Sequence, residues 1–401
     1  MNHRTLSSLD VAGRRVFVRV DFNVPLAADG SVADDTRIVE TLPTLRYLMQ
    51  KNARLVIASH LGRPKGKRDP KQSLRPVRER LEKFLRKPIA FAEGIVGPDA
   101  EAAAASLKDG DVLLLENLRF DPREEKNDPD FSRDLAKLAD VYVNDAFGSA
   151  HRAHASTAGI TAFVAERAAG FLMEKELAAL GKLLAGAERP FVAILGGAKI
   201  SGKIDVVQSL LPRVDRLVIG GGMMFTFLRA RGLEIGMSLV ENDRVAMAKS
   251  LLEGPHASKI VLPVDCRAAA DLTGSDPGTI VPTMAIPADR MGVDIGPASL
   301  DAIGSVLADA QTIFWNGPMG VFEIPAYAEG TVGVAADVAK ATKRGAFTVV
   351  GGGDSLAAVH QAGVETQITH CSTGGGASLE FLEGRELPGV AALAGAPAVK
   401  G

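Results

Sequence analysis

Apolar positions in this chain come as short uninterrupted runs rather than as alternation. In the first half they are Val16-Phe17-Val18-Arg19-Val20, Leu55-Val56-Ile57-Ala58, Val112-Leu113-Leu114-Leu115 and Val141-Tyr142-Val143. In the second half they are Phe191-Val192-Ala193-Ile194-Leu195, Leu217-Val218-Ile219, Ile260-Val261-Leu262, Ile313-Phe314-Trp315 and Phe347-Thr348-Val349-Val350. Runs of this length, rich in β-branched residues, mark strands buried on both faces, as in parallel sheets covered by helices. Helical spacing fills the intervals, for example Arg75 to Leu85 and Asp130 to Leu138. The pattern predicts an α/β protein of doubly wound, Rossmann-like parallel sheets. Ligands of such sheets sit at the carboxyl ends of strands.

At 401 residues the chain is too long for one ordinary core, so two lobes are expected. Between Phe171 and Leu184 apolar residues recur with helical spacing, and Gly186 and Pro190 close the segment. It reads as a helix joining two lobes or as a surface helix of the first, and the spacing admits both. The resulting partition is 1–170, a linking helix 171–185, and 186–387.

Composition removes several classes of function. With 46% apolar and 23% charged residues the chain resembles a soluble enzyme. A net charge of −2 argues against a nucleic-acid partner and leaves the arginines a local purpose. The two cysteines, Cys266 and Cys371, fit a reducing compartment, and no C-x-x-C pair offers a zinc site. The first residues lack the apolar core of a secretory signal, and no apolar run reaches membrane-spanning length. A cytoplasmic protein is the expectation.

The candidate chemistry divides between the halves. Every glycine pair or triplet lies in the second half: Gly196-Gly197, Gly220-Gly221-Gly222, Gly351-Gly352-Gly353 and Gly374-Gly375-Gly376. The first half carries instead Arg37, His60-Leu61-Gly62-Arg63, Arg119 and Arg152 at the ends of apolar strands. Glycine turns bring backbone N–H groups close to phosphates, and guanidinium groups grip phosphates and carboxylates from the side. Asp21 and Asn23, two apart on an extended strand, face one side and suit a substrate hydroxyl; taken alone, such a pair is more often a strand-end turn held by Asx hydrogen bonds. The His151/His154 pair has no third metal ligand nearby, so a hydrogen-bonding role at a helix start is expected there. From Gly197 the sequence almost completes a phosphate loop, but Ile204 stands where a hydroxyl must bind magnesium. What remains is a strand-to-helix turn with Lys199 and Lys203 one helical turn apart, either awaiting an anion or simply solvated. Asp354, within the third glycine turn, is a hard carboxylate suited to Mg²⁺. The Trp315 to Glu323 segment ends a strand in a rigid turn whose carboxylate suits a ribose.

Taken together these segments resemble the phosphoglycerate kinase family, from Arg19-Val20-Asp21-Phe22-Asn23 to Leu387-Pro388-Gly389. The distinctive stretches are Asp34 to Ile38, His60 to Pro64, Asn144 to Phe147, His151 to His154, Trp315 to Glu323 and Ser372 to Ala377. Gly202 stands where the family commonly has Asp, and Cys371 where an Ile is common. The resemblance implies reversible phosphoryl transfer between 1,3-bisphosphoglycerate and MgADP, giving 3-phosphoglycerate and MgATP, by a monomer that closes about a hinge. It implies that residues 1–170 bind the glycerate through Asp21, Asn23, Arg37, His60, Leu61, Gly62, Arg63, Arg119 and Arg152. A C-terminal tail, 388–401, would return to this lobe. Residues 186–387 would bind the nucleotide through Lys203, Gly220, Gly221, Gly222, Asn316, Pro318, Glu323, Gly352, Gly353, Asp354 and Ser355, with Mg²⁺ at Asp354. Arg37, Lys199, Lys203, Gly375 and Gly376 would surround the migrating phosphoryl group. Two rivals stand beside this reading: a nicotinamide-dependent dehydrogenase using the glycine turns, and a non-catalytic anion-binding protein.

Overall fold

In the computed structural model of the chain, which describes residues 4–394, three sheets form. The strands are β1 (Arg15–Arg19), β2 (Arg54–Ala58), β3 (Ala90–Ala92), β4 (Val112–Leu115), β5 (Val141–Asn144) and β6 (Arg167–Ala169). The second half contributes β7 (Phe191–Leu195), β8 (Arg216–Ile219), β9 (Ile260–Val261), β10 (Asp265–Ala269), β11 (Thr279–Pro282), β12 (Met291–Ile295), β13 (Thr312–Asn316), β14 (Phe347–Gly351) and β15 (His370–Ser372). The chain folds into two compact units, one comprising residues up to Ala178 with those from Glu386 onward, the other Ala179–Arg385.

The first unit is built on a parallel sheet of order β3-β4-β2-β1-β5-β6. Its apolar runs are continuous because both faces are covered. Val16, Val18, Ile57, Leu114 and Val143 pack with Leu42 and Leu45 of helix Thr36–Gln50 and with Val77 and Leu81 of helix Arg75–Leu85. Phe17 and Tyr142 project to the opposite face, their ring centroids 6.2 Å apart. Near the chain's end, the Gly389 N–H donates to Ala150 O at 2.8 Å, and Asn144 Nδ2 donates to Gly389 O at 3.3 Å. Residues 395–401 of the expected returning tail lie outside the described residues.

The second unit carries a parallel sheet of order β15-β14-β13-β7-β8-β9. Its strand order reverses between β7 and β13, the position at which doubly wound sheets open a crevice for ligands. A three-stranded antiparallel sheet, β11-β10-β12, was not anticipated. Its strands carry Asp265, Arg267 and Pro282 among small residues, so no apolar run marks them. The strand before the last glycine turn is His370-Cys371-Ser372, which is not an apolar run and so carries no strand signal in the sequence.

Helix Phe171–Ala185 forms where the spacing placed it. Its first turn is tied to the first unit by Asp145, whose Oδ1 accepts from the amides of Leu172 at 2.9 Å and Met173 at 3.1 Å. The Phe171 amide donates to Thr44 Oγ1 at 2.9 Å. Burial pushes the Asp145 carboxyl up to about 6, against the hydrogen bonds from Thr44, Met173 and Leu172 that favour the anion. Replacing Asp145 by Ala removes the oxygen that accepts two amides at this helix start and should cost about 1–2 kcal/mol. Urea unfolding followed by far-ultraviolet circular dichroism measures this, and Asp145→Asn, which keeps an acceptor, should cost less.

Candidate active site

In the first unit the strand order reverses between β1 and β5, and the arginine motifs gather at their carboxyl edge. Strand β1 stops at Arg19, so Asp21 and Asn23 do not sit on an extended strand as expected. They form a local turn in which the Asn23 amide donates to Asp21 Oδ1 at 3.2 Å. The turn held by Asx hydrogen bonds is the arrangement that forms. Asn23 Oδ1 accepts the Gly62 amide at 2.8 Å, which fixes the His60-Leu61-Gly62 loop against the first turn. Asn117 holds the same loop from the other side, accepting from Leu61 N at 3.2 Å and donating to Leu61 O at 2.7 Å.

Asp21 is the anionic centre of this edge. Arg37, at the start of helix Thr36–Gln50, places Nη1 2.9 Å from Asp21 Oδ1. Ser149 Oγ donates to Asp21 Oδ2 at 3.3 Å, and His60 Nδ1 lies 4.0 Å from Oδ1. Burial opposes the charge on Asp21, but Arg37, Arg19 and the Asn23 amide outweigh it and hold the carboxyl below the usual carboxylate range. A guanidinium at a helix N-terminus is unfavourable against the helix dipole, and Asp21 offsets that cost. Arg119 is buried, with Nη1 donating to Gly62 O at 2.8 Å and Nε 3.4 Å from Glu125 Oε1. Burial lowers its affinity for the proton, and Arg19 and Arg152 lower it further, while Glu125 opposes. Arg63 and Arg152 are exposed at the rim, outside this hydrogen-bonded network. His154 is not at a helix start: its carbonyl closes a turn by accepting the Ala158 amide at 2.8 Å. Its ring is buried 4.0 Å from Glu124, and desolvation, helped by Arg19, Arg119 and Arg152, lowers it to about 3.

In the second unit, β7 and β13 run in register with Leu195 beside Asn316, so their carboxyl ends leave the sheet together. The Gly196 amide donates to Asn316 O at 2.9 Å and the Gly197 amide to Pro318 O at 2.8 Å. Gly317 takes φ +96°, and a Cβ there would lie against Gly196 O and Lys203 Nζ. Only glycine permits this approach. Lys203 Nζ donates to Gly196 O at 2.7 Å and to Asn316 O at 3.0 Å. Burial brings its ammonium down to about 8, with Asp354 opposing. The expected common helical face for Lys199 and Lys203 does not exist. The helix begins only at Ile204, so Lys203 turns inward while Lys199 stays exposed.

A cavity of about 280 Å³ opens beside this seam. Its apolar side is Phe225, Leu239, Met291 and Val321, and its polar end carries Glu323 and Asp354. Gly221, Gly222 and Pro318 line it; Gly220 instead packs its missing Cβ position against Met319. Asn316 Nδ2 donates to Gly351 O at 2.7 Å, and Ser355 Oγ accepts the Gly317 amide at 2.5 Å. Ser355 belongs to helix Gly353–Gln361, which starts after Gly352 at φ +94°. Gly375 and Gly376 open helix Gly376–Leu382 after β15, two strands along the sheet from β13. Among the described residues no cluster of three His, Cys, Asp or Glu side chains could hold a metal ion. Asp354 is thus a single carboxylate, which fits Mg²⁺ held mainly by phosphates and water. Gly202 faces open space, so the family's Asp there is lost without leaving a gap.

The sequence model of phosphoglycerate kinase matches residues 6–385. The chain belongs to the phosphoglycerate kinase family. It is 54% identical over 395 residues, 98% of this chain and all of the relative, to phosphoglycerate kinase of Chlorobaculum tepidum. The relative from Prosthecochloris aestuarii is likewise 54% identical with the same coverage. The solved phosphoglycerate kinase of Coxiella burnetii superposes with a TM-score of 0.87 at 39% identity, covering 98% of both chains. That of Pyrococcus horikoshii gives 0.85 at 33% identity, covering 97% of this chain and 98% of the other. As a phosphoglycerate kinase family member the chain is a phosphotransferase of glycolysis, moving a phosphoryl group between 1,3-bisphosphoglycerate and ADP. The dehydrogenase and non-catalytic readings are set aside.

Arg19, Ser156, Glu124, Asn117 and Thr331 were not singled out by sequence reasoning. Arg19 alone carried a signal, as a charge inside a buried apolar run. Thr331 Oγ1 accepts the amides of Met319 at 3.0 Å and Gly320 at 3.2 Å, steadying the wall of the cavity.

The state of Lys203 is directly measurable. Its folded pKa of about 8 lies below the ordinary 10.5. Between those values the unfolded chain holds more protons, so its contribution to stability rises with pH there. Site-resolved amine titration should give an inflection near 8, and Lys203→Met should lose the associated rise in stability. An inflection above 10 would show a well-solvated ammonium instead.

Proposed function

We propose that the β1/β5 edge of the first unit holds the phosphoglycerate and the β7/β13 cavity of the second holds MgADP or MgATP, for direct in-line transfer. The observation that carries this reading is Lys203, an ammonium desolvated against two carbonyls beside an apolar cavity. It is a positive charge supplied without a buried anionic partner. A nucleotide whose base enters the apolar side and whose phosphates reach Lys203 supplies that partner.

The family likeness implies the roles of the residues, and their chemistry suits them. Asp21 and Asn23 meet the glycerate hydroxyl, while Arg37, Arg63, Arg119, Arg152 and His60 meet its phosphate and carboxylate. Glu323 accepts from the ribose, and the amides of Gly352, Gly353 and Ser355 face phosphate oxygens at a helix start. Asp354 would hold Mg²⁺ together with the nucleotide phosphates, and the ion would supply charge neutralisation there. Lys199, Arg37 and the amides of Gly375 and Gly376 stabilise the equatorial oxygens of the migrating group. The acceptor carboxylate is already ionised at neutral pH, so the site needs no general base. The reaction also requires reacting atoms about 3–3.5 Å apart and shielded from water. We therefore assign closure of the two units about helix Phe171–Ala185 to the working cycle, in a cytoplasmic monomer. Among the described residues no helix is long and apolar enough to cross a membrane.

A coupled assay with 3-phosphoglycerate, MgATP and a metal-free control tests the reaction and its metal together. Arg37→Ala should lower kcat by on the order of 10³-fold, with a smaller change in KM. A raised KM with intact kcat would make Arg37 a binding group only. Lys203→Ala should weaken MgADP in equilibrium titration, whereas Lys199→Ala should chiefly slow transfer. Small-angle scattering should show a smaller radius of gyration with 3-phosphoglycerate plus a nonhydrolysable MgATP analogue than with either alone. An unchanged radius at saturation would remove the closure step.

A further inference from the structure

Strand β1 ends on a guanidinium, Arg19, that is fully shielded from solvent. Its Nε donates to Ser156 Oγ at 2.8 Å, Nη1 donates to the Val20 carbonyl, and Nη2 lies 3.2 Å from His60 Nδ1. Ser156 passes its hydroxyl hydrogen to Glu124 Oε1 at 2.5 Å and its amide hydrogen to Glu124 Oε2 at 3.0 Å. Glu124 is buried as well, so Arg19 is balanced by Glu124 on one side and by Asp21 on the other.

A guanidinium has N–H donors only and keeps its charge. Its one favourable contact with His60 Nδ1 at 3.2 Å is therefore donation into the ring lone pair. A hydrogen on Nδ1 would face another donor across that distance, and an imidazolium would add like-charge repulsion. The other polar neighbour of Nδ1, Asp21 Oδ1, is 4.0 Å away, beyond hydrogen-bond reach. That oxygen already receives Arg37 at 2.9 Å and the Asn23 amide at 3.2 Å.

We infer that Arg19 is a positioning residue that fixes His60 as the neutral tautomer with its hydrogen on Nε2, offering the phosphoglycerate a donor without a charge. Both polar neighbours of the ring among the described residues lie on the Nδ1 side, which leaves Nε2 for the ligand. Burial holds the imidazole well below its ordinary titration range; Arg19, Arg119 and Arg37 act with it, and Asp21 opposes them. The positive charge of this edge then comes from guanidinium groups alone, and its donor pattern does not change through neutrality. The ligand half of the inference rests on the placement of phosphoglycerate proposed above.

The test is a long-range proton–nitrogen spectrum of the full-length protein labelled with ¹⁵N-histidine, with His60 assigned through His60→Gln. A pyridine-type Nδ1 and a pyrrole-type Nε2, unchanged from about pH 6 to 8, are expected for a histidine kept from titrating. A protonated Nδ1 or an averaged imidazolium pattern would overturn the inference. The paired substitution Arg19→Met with Glu124→Gln leaves no buried charge alone. It should shift His60 toward mixed tautomers and raise KM for 3-phosphoglycerate by roughly tenfold, the scale of one hydrogen bond. KM for MgATP should stay unchanged. A wild-type His60 pattern in that variant would also overturn the inference, and the spectrum of the unaltered protein decides the matter even if the variant does not fold. A locked tautomer together with an unchanged 3-phosphoglycerate KM in His60→Ala, which has no donor, would remove the substrate placement and leave the Arg19–His60 lock standing.

Discussion

The register between β7 and β13 is the constraint on which the second unit's chemistry depends. It sets Leu195 beside Asn316 and so sends two backbones out of the sheet in contact. Backbones that close leave no room for side chains, which is why Gly196 and Gly317 occupy the seam. Two carbonyls, Gly196 O and Asn316 O, then converge on one point, and Lys203 fills it. An ammonium held there has lost much of its water, a loss the carbonyl dipoles offset only in part, as its lowered pKa records. A bound anion completes the compensation. Strand pairing is thereby converted into a fixed charge beside a cavity.

The first unit reaches a comparable end by other means. Its centre is a carboxylate, Asp21, and the cations are arranged around it by side-chain contacts rather than by backbone convergence. An exposed ion pair is worth ~0–1 kcal/mol, but leaving one member of a buried pair alone costs about 3–5 kcal/mol. Asp21 and Glu124 are buried, so they hold Arg37 and Arg19 in place in the absence of substrate. Rim arginines such as Arg63 have no such restraint and remain free to follow a ligand. The edge thus combines a rigid interior with an adaptable margin.

The sequence revealed most of what is apolar and little of what is buried and polar. Phe191–Leu195 and Val112–Leu115 were readable as strands because both faces are covered, and helix Arg75–Leu85 showed its periodicity. Strands of the small antiparallel sheet were invisible, since Asp265 and Arg267 interrupt any run and β11 is largely exposed. The glycine and arginine motifs do fall near strand ends, as their spacing indicated. Their detailed geometry was not readable, because it depends on partners distant in sequence. Asn23 is fixed by Gly62, and Lys203 by Asn316. The shared helical face assigned to Lys199 and Lys203 failed because the glycine turn continues to Lys203 before any helix begins. Family likeness carried residue roles further than spacing could.

The groups that titrate near neutrality sharpen the view that this chemistry does without an acid or base. Among the described residues, Asp145, Asp294 and Lys203 are shifted to between about 6 and 8. Asp145 caps a helix, and Asp294 accepts the amides of Gly330 at 2.7 Å and Ile295 at 2.9 Å. Both carboxyls are raised chiefly by burial. The folded protein therefore holds protons that the unfolded chain has released, and stability falls as pH climbs from the ordinary carboxyl range toward those values. Lys203 acts in the opposite sense above about 8, where stability rises with pH. Through the neutral range His60, held below its ordinary titration range, and the always-charged guanidinium groups keep a constant protonation state. Phosphoryl transfer to a carboxylate asks for that constancy, because the reaction consumes charge alignment and leaves proton inventory untouched.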